Sequence, residues 1–150
     1  MRAAISFLLL IILFGNTNAQ TSNFDSVLAK KLHADEYGMK KYILVLLKTG
    51  TAIINDKKQV DSIFKGHLKN IQRLAAENKL VLAGPMGKND KSYEGLFILN
   101  TESIAEASAL LATDPAIHAK LLDAEVYLWY GSAAVQQIPS MHEKVQRTHF

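Results

Sequence analysis

The sequence predicts an α+β domain, and three observations predict it. Six apolar residues lie between Lys41 and Lys48, which is typical of a strand buried on both faces. Over residues 61–78, apolar residues recur at every third or fourth position, which indicates an amphipathic helix. Two short apolar runs at 80–83 and 96–99 then flank a polar turn, which favours an antiparallel pair of strands.

The second half of the chain continues this pattern. Ser103 and Glu106 have the spacing of a capping box, so a second helix begins there, and one or two further helical turns follow Pro115. Residues 125–130 alternate as a last strand. The predicted order is strand, helix, strand, strand, helix, strand. This βαββαβ order is the ferredoxin-like split βαβ arrangement, with an antiparallel sheet and both helices on one face.

An open sheet face follows from this arrangement. The two helices can cover only one face, yet the first and last strands carry apolar or aromatic residues on both faces. An uncovered face of that kind would be an unusually large exposed patch for a monomer. We therefore predict a homodimer in which a second subunit covers the face, giving a dimeric α/β barrel. The alternative is that residues 20–40 and 132–150 cover it within one chain.

The first 19 residues have the three parts of a secretory signal peptide. Arg2 precedes an apolar run over residues 3–14, and Ala19 supplies the small residue before a cleavage site. The run is shorter than the roughly 20 residues of a membrane span. We expect a periplasmic or secreted protein with no membrane attachment after cleavage; an uncleaved N-terminal anchor is the alternative. The predicted organisation is a signal peptide at 1–19, an N-terminal extension at 20–40, a domain at 41–131 and a C-terminal tail at 132–150.

Composition excludes several classes of function. The chain has no cysteines, so disulfides, thiol chemistry and cysteine metal sites are absent. The net charge is +3, and the lysines are spread along the chain without interleaved aromatic residues, so we expect no nucleic-acid partner. His118, His142 and His149 lack the spacing of metal ligands. No nucleotide motif is present either, and we predict neither a metal nor a cofactor.

Two residues are candidates for proton chemistry. His67 lies on or beside the apolar stripe of the first helix, where a core histidine bonded to backbone is the structural alternative. Asp114 precedes Pro115, and the two have the pattern of a helix N-cap, which is also a structural role. Capping and catalysis are compatible for one carboxylate, so the residues alone leave both interpretations open.

Four residues are candidates for ligand binding. Gly84 and Pro85 end a strand, where a glycine lets a ligand approach the backbone closely, although a plain turn has the same pattern. Trp129 and Tyr130 are aromatic residues of the last strand that either line a cavity or belong to the core. We predict that these four contact a small-molecule substrate or ligand.

Three short motifs resemble the YCII-related (YciI-like) family in their order and in their placement on the predicted elements. The motifs are Gly66-His67-Leu68, the run LVLAGP at 80–85, and Thr113-Asp114-Pro115. The resemblance covers residues 41–131, and residues 35–40 and 129–132 are similar to an exported bacterial subgroup. It implies a ferredoxin-like fold assembled as a dimeric α/β barrel. It also implies a His–Asp pair in a cleft, which maps onto His67 and Asp114.

Two functions are compatible with these residues. In the first, which the resemblance implies, the protein is a cofactor-free enzyme of the lyase or isomerase type. His67 acts as general base or acid and Asp114 orients it, and the reaction is an elimination or isomerisation of a small cyclic or aromatic acid. In the second, the protein is an exported, non-catalytic module that binds a small ligand, and His67 and Asp114 are structural.

Overall fold

The structure is a computed structural model, and it describes residues 23–148. The signal peptide predicted at 1–19 lies outside the described residues. No helix within the described range is long and apolar enough to span a membrane. The elements follow in chain order: α1 (Ser26–Lys31), β1 (Met39–Thr49), α2 (Lys57–Ala76), β2 (Leu80–Pro85), β3 (Tyr93–Leu99), α3 (Ile104–Ala112), α4 (Pro115–His118), β4 (Leu122–Ser132), a 3-10 helix (Ala133–Gln137) and α5 (Ile138–Val145).

Within this range, four antiparallel strands form one sheet in the order β2-β3-β1-β4. The long strands β1 and β4 pair along their whole length, from Met39 opposite Ser132 to Thr49 opposite Leu122. β3 pairs with the other edge of β1, and β2 lies beside β3. The helices α2 and α3 pack on one side of the sheet. The predicted ferredoxin-like α+β fold is therefore confirmed.

The helix-facing side of the sheet holds the main core. Alternate side chains of β1 point to this side, and Ile43, Val45 and Leu47 are buried there. Leu74 of α2 and Leu111 of α3 belong to the same cluster. Burying one leucine side chain stabilises a fold by roughly 1.5–3 kcal/mol, so this layer fixes how the two helices lie on the sheet.

The terminal segments cover one end of the opposite side of the sheet. Tyr42, Val81 and Ile98 form a second buried cluster on this side. The tail is tied to the N-terminal extension because the Gln136 side-chain amide donates to the Leu32 carbonyl at 2.7 Å. Both segments therefore lie against the domain. The alternative to a dimer, in which these segments cover the open sheet face within one chain, requires such contacts.

The other end of this face is open. Leu46, Leu96 and Tyr127 point to the same side as the second cluster, and each is partly or largely exposed. Beside them, Lys48 forms an ion pair with Glu125 at 2.8 Å. We refer to Leu46, Leu96 and Tyr127 as the open patch, which is apolar with a charged border.

Helix α2 begins at Lys57, earlier than the start at residue 61 that its apolar stripe indicated. Asp56 is the cause, because its carboxylate accepts a hydrogen bond from the Lys58 amide at 2.9 Å and so caps the helix. A cap set by one polar residue before a polar first turn leaves no trace in the apolar period. The stripe therefore locates the helix but not its first residue.

Only one of the two hydrogen bonds of the capping box predicted at Ser103 forms. The Ser103 hydroxyl accepts from the Glu106 amide at 3.2 Å, as expected for an N-cap. The Ser103 amide donates to the Thr101 hydroxyl at 3.1 Å, and the Glu106 carboxylate accepts instead from Lys79 at 2.7 Å. Tertiary neighbours thus replace the reciprocal bond of the motif.

The loop after β1 contacts the segment that follows α4. The Gly50 amide donates to the Leu121 carbonyl at 2.8 Å, and the Ala52 amide donates to the Lys120 carbonyl at 3.0 Å. A Cβ at Gly50 would lie 2.1 Å from the Lys120 carbonyl oxygen, so only glycine allows this close approach. The contact fixes the chain at the C-terminal end of α4.

Candidate active site

His67 and Asp114 are in direct contact. His67 lies in the middle of α2, and Asp114 is the residue before α4. The imidazole Nδ1 and the carboxylate Oδ2 are 2.7 Å apart, and both residues are buried. The other carboxylate oxygen accepts a hydrogen bond from the Ala116 amide at 2.9 Å. Asp114 therefore caps α4 and holds His67 at the same time.

Gly66 explains how α2 approaches this cap so closely. A Cβ at Gly66 would lie 3.0 Å from Cγ of Pro115, the first residue of α4. That separation is shorter than ordinary carbon–carbon contact, so a larger residue would require the Pro115 ring to move by a few tenths of an ångström. The two motifs that contain His67 and Asp114 thus form the two sides of one contact.

Two phenylalanines orient the imidazole ring. The Phe97 ring of β3 stacks on it, with 6.0 Å between ring centres and 23° between planes. Phe64, one turn earlier on α2, meets the imidazole edge-on at 6.0 Å and 83°. Phe97 is buried, whereas 38% of Phe64 is exposed. The imidazole therefore has apolar neighbours on two sides, and one of them, Phe64, is itself partly exposed at the surface.

The Asp114 carboxyl is ionised in this setting. Burial raises its pKa, but the hydrogen bond and charge of His67 and the Ala116 and Ile117 amides lower it, and the net pKa lies below the ordinary 3.8. An ionised carboxylate only accepts hydrogen bonds, so Nδ1 of His67 is the donor. The neutral ring then carries its proton on Nδ1 and a lone pair on Nε2.

The outer ring nitrogen of His67, Nε2, is accessible. Between residues 23 and 148, no hydrogen bond involves it, and no buried side-chain nitrogen or oxygen lacks a partner. Nε2 therefore contacts solvent, although only 11% of the side chain is exposed. A bonded inner nitrogen and an accessible outer one are what a general acid–base histidine needs.

Asn70 also belongs to this site, and it was not among the residues predicted from the sequence. Asn70 is buried one turn after His67, and its amide donates to Asp114 Oδ2 over a long 3.5 Å. Its carbonyl oxygen accepts from Arg73 at 2.8 Å and from the Thr113 hydroxyl at 3.1 Å. The available signal was the spacing, because residues three apart on a helix share one face.

Trp129 and Tyr130, two of the predicted substrate-binding residues, lie apart from His67. Trp129 is on the opposite side of the sheet, where its ring centre lies 5.6 Å from that of Tyr42. The Tyr130 hydroxyl bonds the Asp35 carboxylate of the N-terminal extension. The structure thus brings neither residue together with the imidazole, and their role in substrate binding stays a prediction.

Gly84 and Pro85, the other two, end β2 beside β3. The residue before them, Ala83, pairs with Phe97, whose ring stacks on His67. A Cβ at Gly84 would meet nothing within 4 Å, so there is open space beside the backbone at this point. Gly84 and Pro85 therefore lie close to Phe97 in the sheet. Their role in substrate binding stays a prediction.

Fold and site together define a class of protein, a ferredoxin-like α+β domain with a buried histidine–aspartate pair on its helix side. Among residues 23–148, no group of three or more histidine, aspartate or glutamate residues could hold a metal ion. The chain belongs to the YCII-related family, because the family model of the YCII-related domain matches residues 41–130. The resemblance drawn from the three motifs is thereby confirmed.

Further comparisons concern individual proteins. No match is found among curated proteins. Among solved structures, the chain is similar to the 5-chloro-2-hydroxyhydroquinone dehydrochlorinase from Burkholderia phenoliruptrix, in complex with 2,5-dihydroxybenzoquinone. The two chains are 24% identical with a TM-score of 0.41, and the match covers 58% of this chain and 92% of that chain.

Replacing Asp114 with asparagine should destabilise the protein most at neutral pH. Asparagine still caps α4 but removes the charge that faces His67, so we expect a loss of about 1–3 kcal/mol in the free energy of unfolding at pH 7. Folding lowers the pKa of Asp114, so its contribution is complete above the ordinary pKa of 3.8. The contribution is lost as the pH falls through the folded-state pKa. Urea denaturation at stepwise lower pH should therefore show a difference that shrinks below pH 3.8.

The matched control for this prediction is Asp90→Asn, because the Asp90 side chain is 87% exposed. This variant should change the free energy of unfolding by less than about 0.5 kcal/mol across the same pH range. A difference between wild type and Asp114→Asn that stayed constant on acidification would contradict an ionised, paired Asp114.

Proposed function

We propose that the protein is a cofactor-free enzyme in which His67 transfers a proton and Asp114 orients the imidazole. The observation that carries the proposal is the 2.7 Å contact between Nδ1 and Oδ2, which leaves Nε2 as the accessible nitrogen. The reaction class is elimination or isomerisation, since both begin with removal of a proton from carbon. The substrate class is a small cyclic or aromatic acid.

The proposed reaction uses Nε2 of His67 as the base. Nε2 accepts a proton from a carbon beside an electron-withdrawing group of the substrate, and the ring becomes an imidazolium. The Asp114 carboxylate, which is already ionised and bonded to Nδ1–H, stabilises that positive charge. In an isomerisation, Nε2 returns the proton to a different carbon. In an elimination, the electron pair left on carbon expels a leaving group, and Nε2 passes the proton to that group or to solvent.

The surroundings of His67 support a small, flat substrate. Phe64 is the partly exposed neighbour of the imidazole, and its ring offers a surface on which a cyclic or aromatic molecule can pack. The small exposed area of His67 restricts access to Nε2, which favours a small molecule. We include an acid group in the proposed substrate because the family resemblance implies it.

A structural role of the pair is the competing explanation, and one observation favours it. Asp114 caps α4, and Asn70 and Arg73 extend its hydrogen bonds along α2. Under this explanation the protein is an exported module that binds a small ligand without turnover. Substitutions at the pair would then lower stability and leave ligand affinity unchanged.

We propose in addition that the protein is exported and acts as a homodimer. Export is supported by the signal-peptide pattern of residues 1–19. Dimerisation is supported by the open patch of Leu46, Leu96 and Tyr127, which the terminal segments leave partly exposed. A two-fold pair would place patch against patch and remove this apolar surface from water. Such a pair agrees with the dimeric α/β barrel that the resemblance implies.

Replacing His67 with glutamine should abolish proton transfer and keep the fold. Glutamine retains a donor for Asp114, so we expect a thermal midpoint within about 5 °C of wild type. Loss of a general base lowers a rate by roughly 10²–10⁴-fold. The measurement is proton NMR in D₂O, which follows exchange or elimination at acidic C–H positions in a panel of small cyclic and aromatic acids.

His142→Gln is the matched control, because His142 is exposed on α5 and should leave these rates unchanged. Equal turnover by wild type and His67→Gln would eliminate the proposed mechanism. An inactive wild type that binds members of the panel, with the same affinity after His67→Gln, would favour the binding module.

A charge in the open patch should prevent dimerisation. Leu96→Asp places a carboxylate where a second subunit would bury it without a partner. We expect wild type to sediment as a dimer at micromolar concentration and Leu96→Asp to sediment as a monomer with an unchanged circular dichroism spectrum. Ile53→Asp should stay dimeric, because Ile53 is 89% exposed in the loop before α2. A strictly monomeric wild type at this concentration would refute the dimer.

A further inference from the structure

A cavity lies where the two terminal segments meet the sheet, apart from the His67 site. It has a volume of about 390 Å³. Its lining comes from residues 31–33 and Lys40, from residues next to and at the start of β2, from Asn100 after β3, and from three residues of the C-terminal tail. None of its lining residues takes part in the His67 site. Small-ligand pockets are typically about 300–1,000 Å³, so this terminal cavity has room for a small organic molecule.

Two lysines place positive charge in the lining of the terminal cavity. Lys31, His33 and Lys40 line it, and none of its lining residues is an aspartate or a glutamate. The ion pairs formed among residues 23–148 involve none of these three side chains. Glu102 acts on Lys40 through its charge, but it does not line the cavity and forms no ion pair with Lys40. Ammonium groups gathered in a concave site attract anions. The charge of the cavity therefore selects for an anionic ligand.

Lys40 is the fixed one of the two lysines. Its ammonium donates to Asn100 Oδ1 at 2.7 Å and lies 5.6 Å from the centre of the Tyr42 ring. Asn100 is held in turn, because its amide donates to the Asn78 carbonyl at 3.1 Å. Two N–H groups of the ammonium remain for a ligand. Burial lowers the pKa of Lys40, and the charge of Glu102 offsets this only in part, so a bound anion would stabilise the ammonium.

The rest of the wall is partly apolar and partly formed by asparagine and glutamine residues. Leu80 and Val81 are buried at the start of β2, and Leu32 is buried where α1 ends. Pro139 of α5 closes the lining from the tail. A ligand that matches both parts of the cavity has an apolar body and one anionic group.

We propose that the terminal cavity is a second binding site that takes a small organic carboxylate. The carboxylate lies on the Lys40 ammonium, with the exposed Lys31 and His33 beside it, and the apolar body packs against Val81 and Leu32. The segments 31–33 and 136–139 lie outside the match at 41–130, so the site is formed jointly by the terminal segments of this chain and by one edge of the YCII-related domain. It does not depend on the proposed enzymatic function.

Benzoate is the probe, and ¹H–¹⁵N NMR of the purified protein reports where it binds. We expect benzoate to shift the side-chain amide signals of Asn100 and Gln136, which line the cavity. Lys40→Met should weaken benzoate binding at least about tenfold, because it removes a charge-assisted hydrogen bond. Lys41→Met is the matched control, since it removes the same charge from an exposed neighbour that points to the other face. It should change the Kd by less than about twofold.

Two further variants separate this test from misfolding and from the His67 site. Lys40→Arg retains the charge and should bind benzoate within about threefold of wild type. His67→Gln should leave the Asn100 and Gln136 shifts in place, whether or not the enzymatic proposal holds. Signals that do not move at about 10 mM benzoate, well above a weak Kd of about 1 mM, would overturn the site. Equal weakening by Lys40→Met and Lys41→Met would overturn it as well.

Discussion

A buried carboxylate must be paired, and the pairing of Asp114 sets the geometry of the site. Leaving a buried charge without a partner costs several kcal/mol, and the Asp114 side chain is only 1% exposed. Its partners come from the backbone of α4, which it caps, and from His67 on α2. The bonds that satisfy the carboxylate therefore also hold α2 against α4 and fix which ring nitrogen of His67 carries the proton.

The two sides of the sheet divide the remaining roles. The helix side holds the main core and the His–Asp pair, so the candidate chemistry lies beside the main core of the domain. The other side is covered at one end by the terminal segments, which Gln136 and Leu32 join, and is open at the other end. One sheet thereby presents the candidate active site, the terminal cavity and the open patch at three separate places.

The order of the elements was predictable because it has local causes, such as the apolar run of β1 and the cap at Ser103. The place of His67 on an inner helix face followed from the helical period in the same way. Long-range contacts did not follow from local patterns, and the pairing of His67 with Asp114 was expected only from the family resemblance. His67 and Asp114 are 47 residues apart in sequence, and two of the hydrogen-bond partners of Asn70, Thr113 and Asp114, are 43 and 44 residues away from it. The aromatic residues on both faces of β4 likewise did not indicate what each face contacts.

The proposals for this site depend on Nδ1 of His67 donating to Asp114 and on Nε2 accepting. Nitrogen-15 NMR of the imidazole, at a pH well above the ordinary histidine pKa of about 6.5, measures which nitrogen carries the proton in the neutral ring. We predict a protonated Nδ1 and an unprotonated Nε2. A proton on Nε2 would contradict this, because the Asp114 carboxylate would then face a lone pair and Nε2 could not take a proton from a substrate.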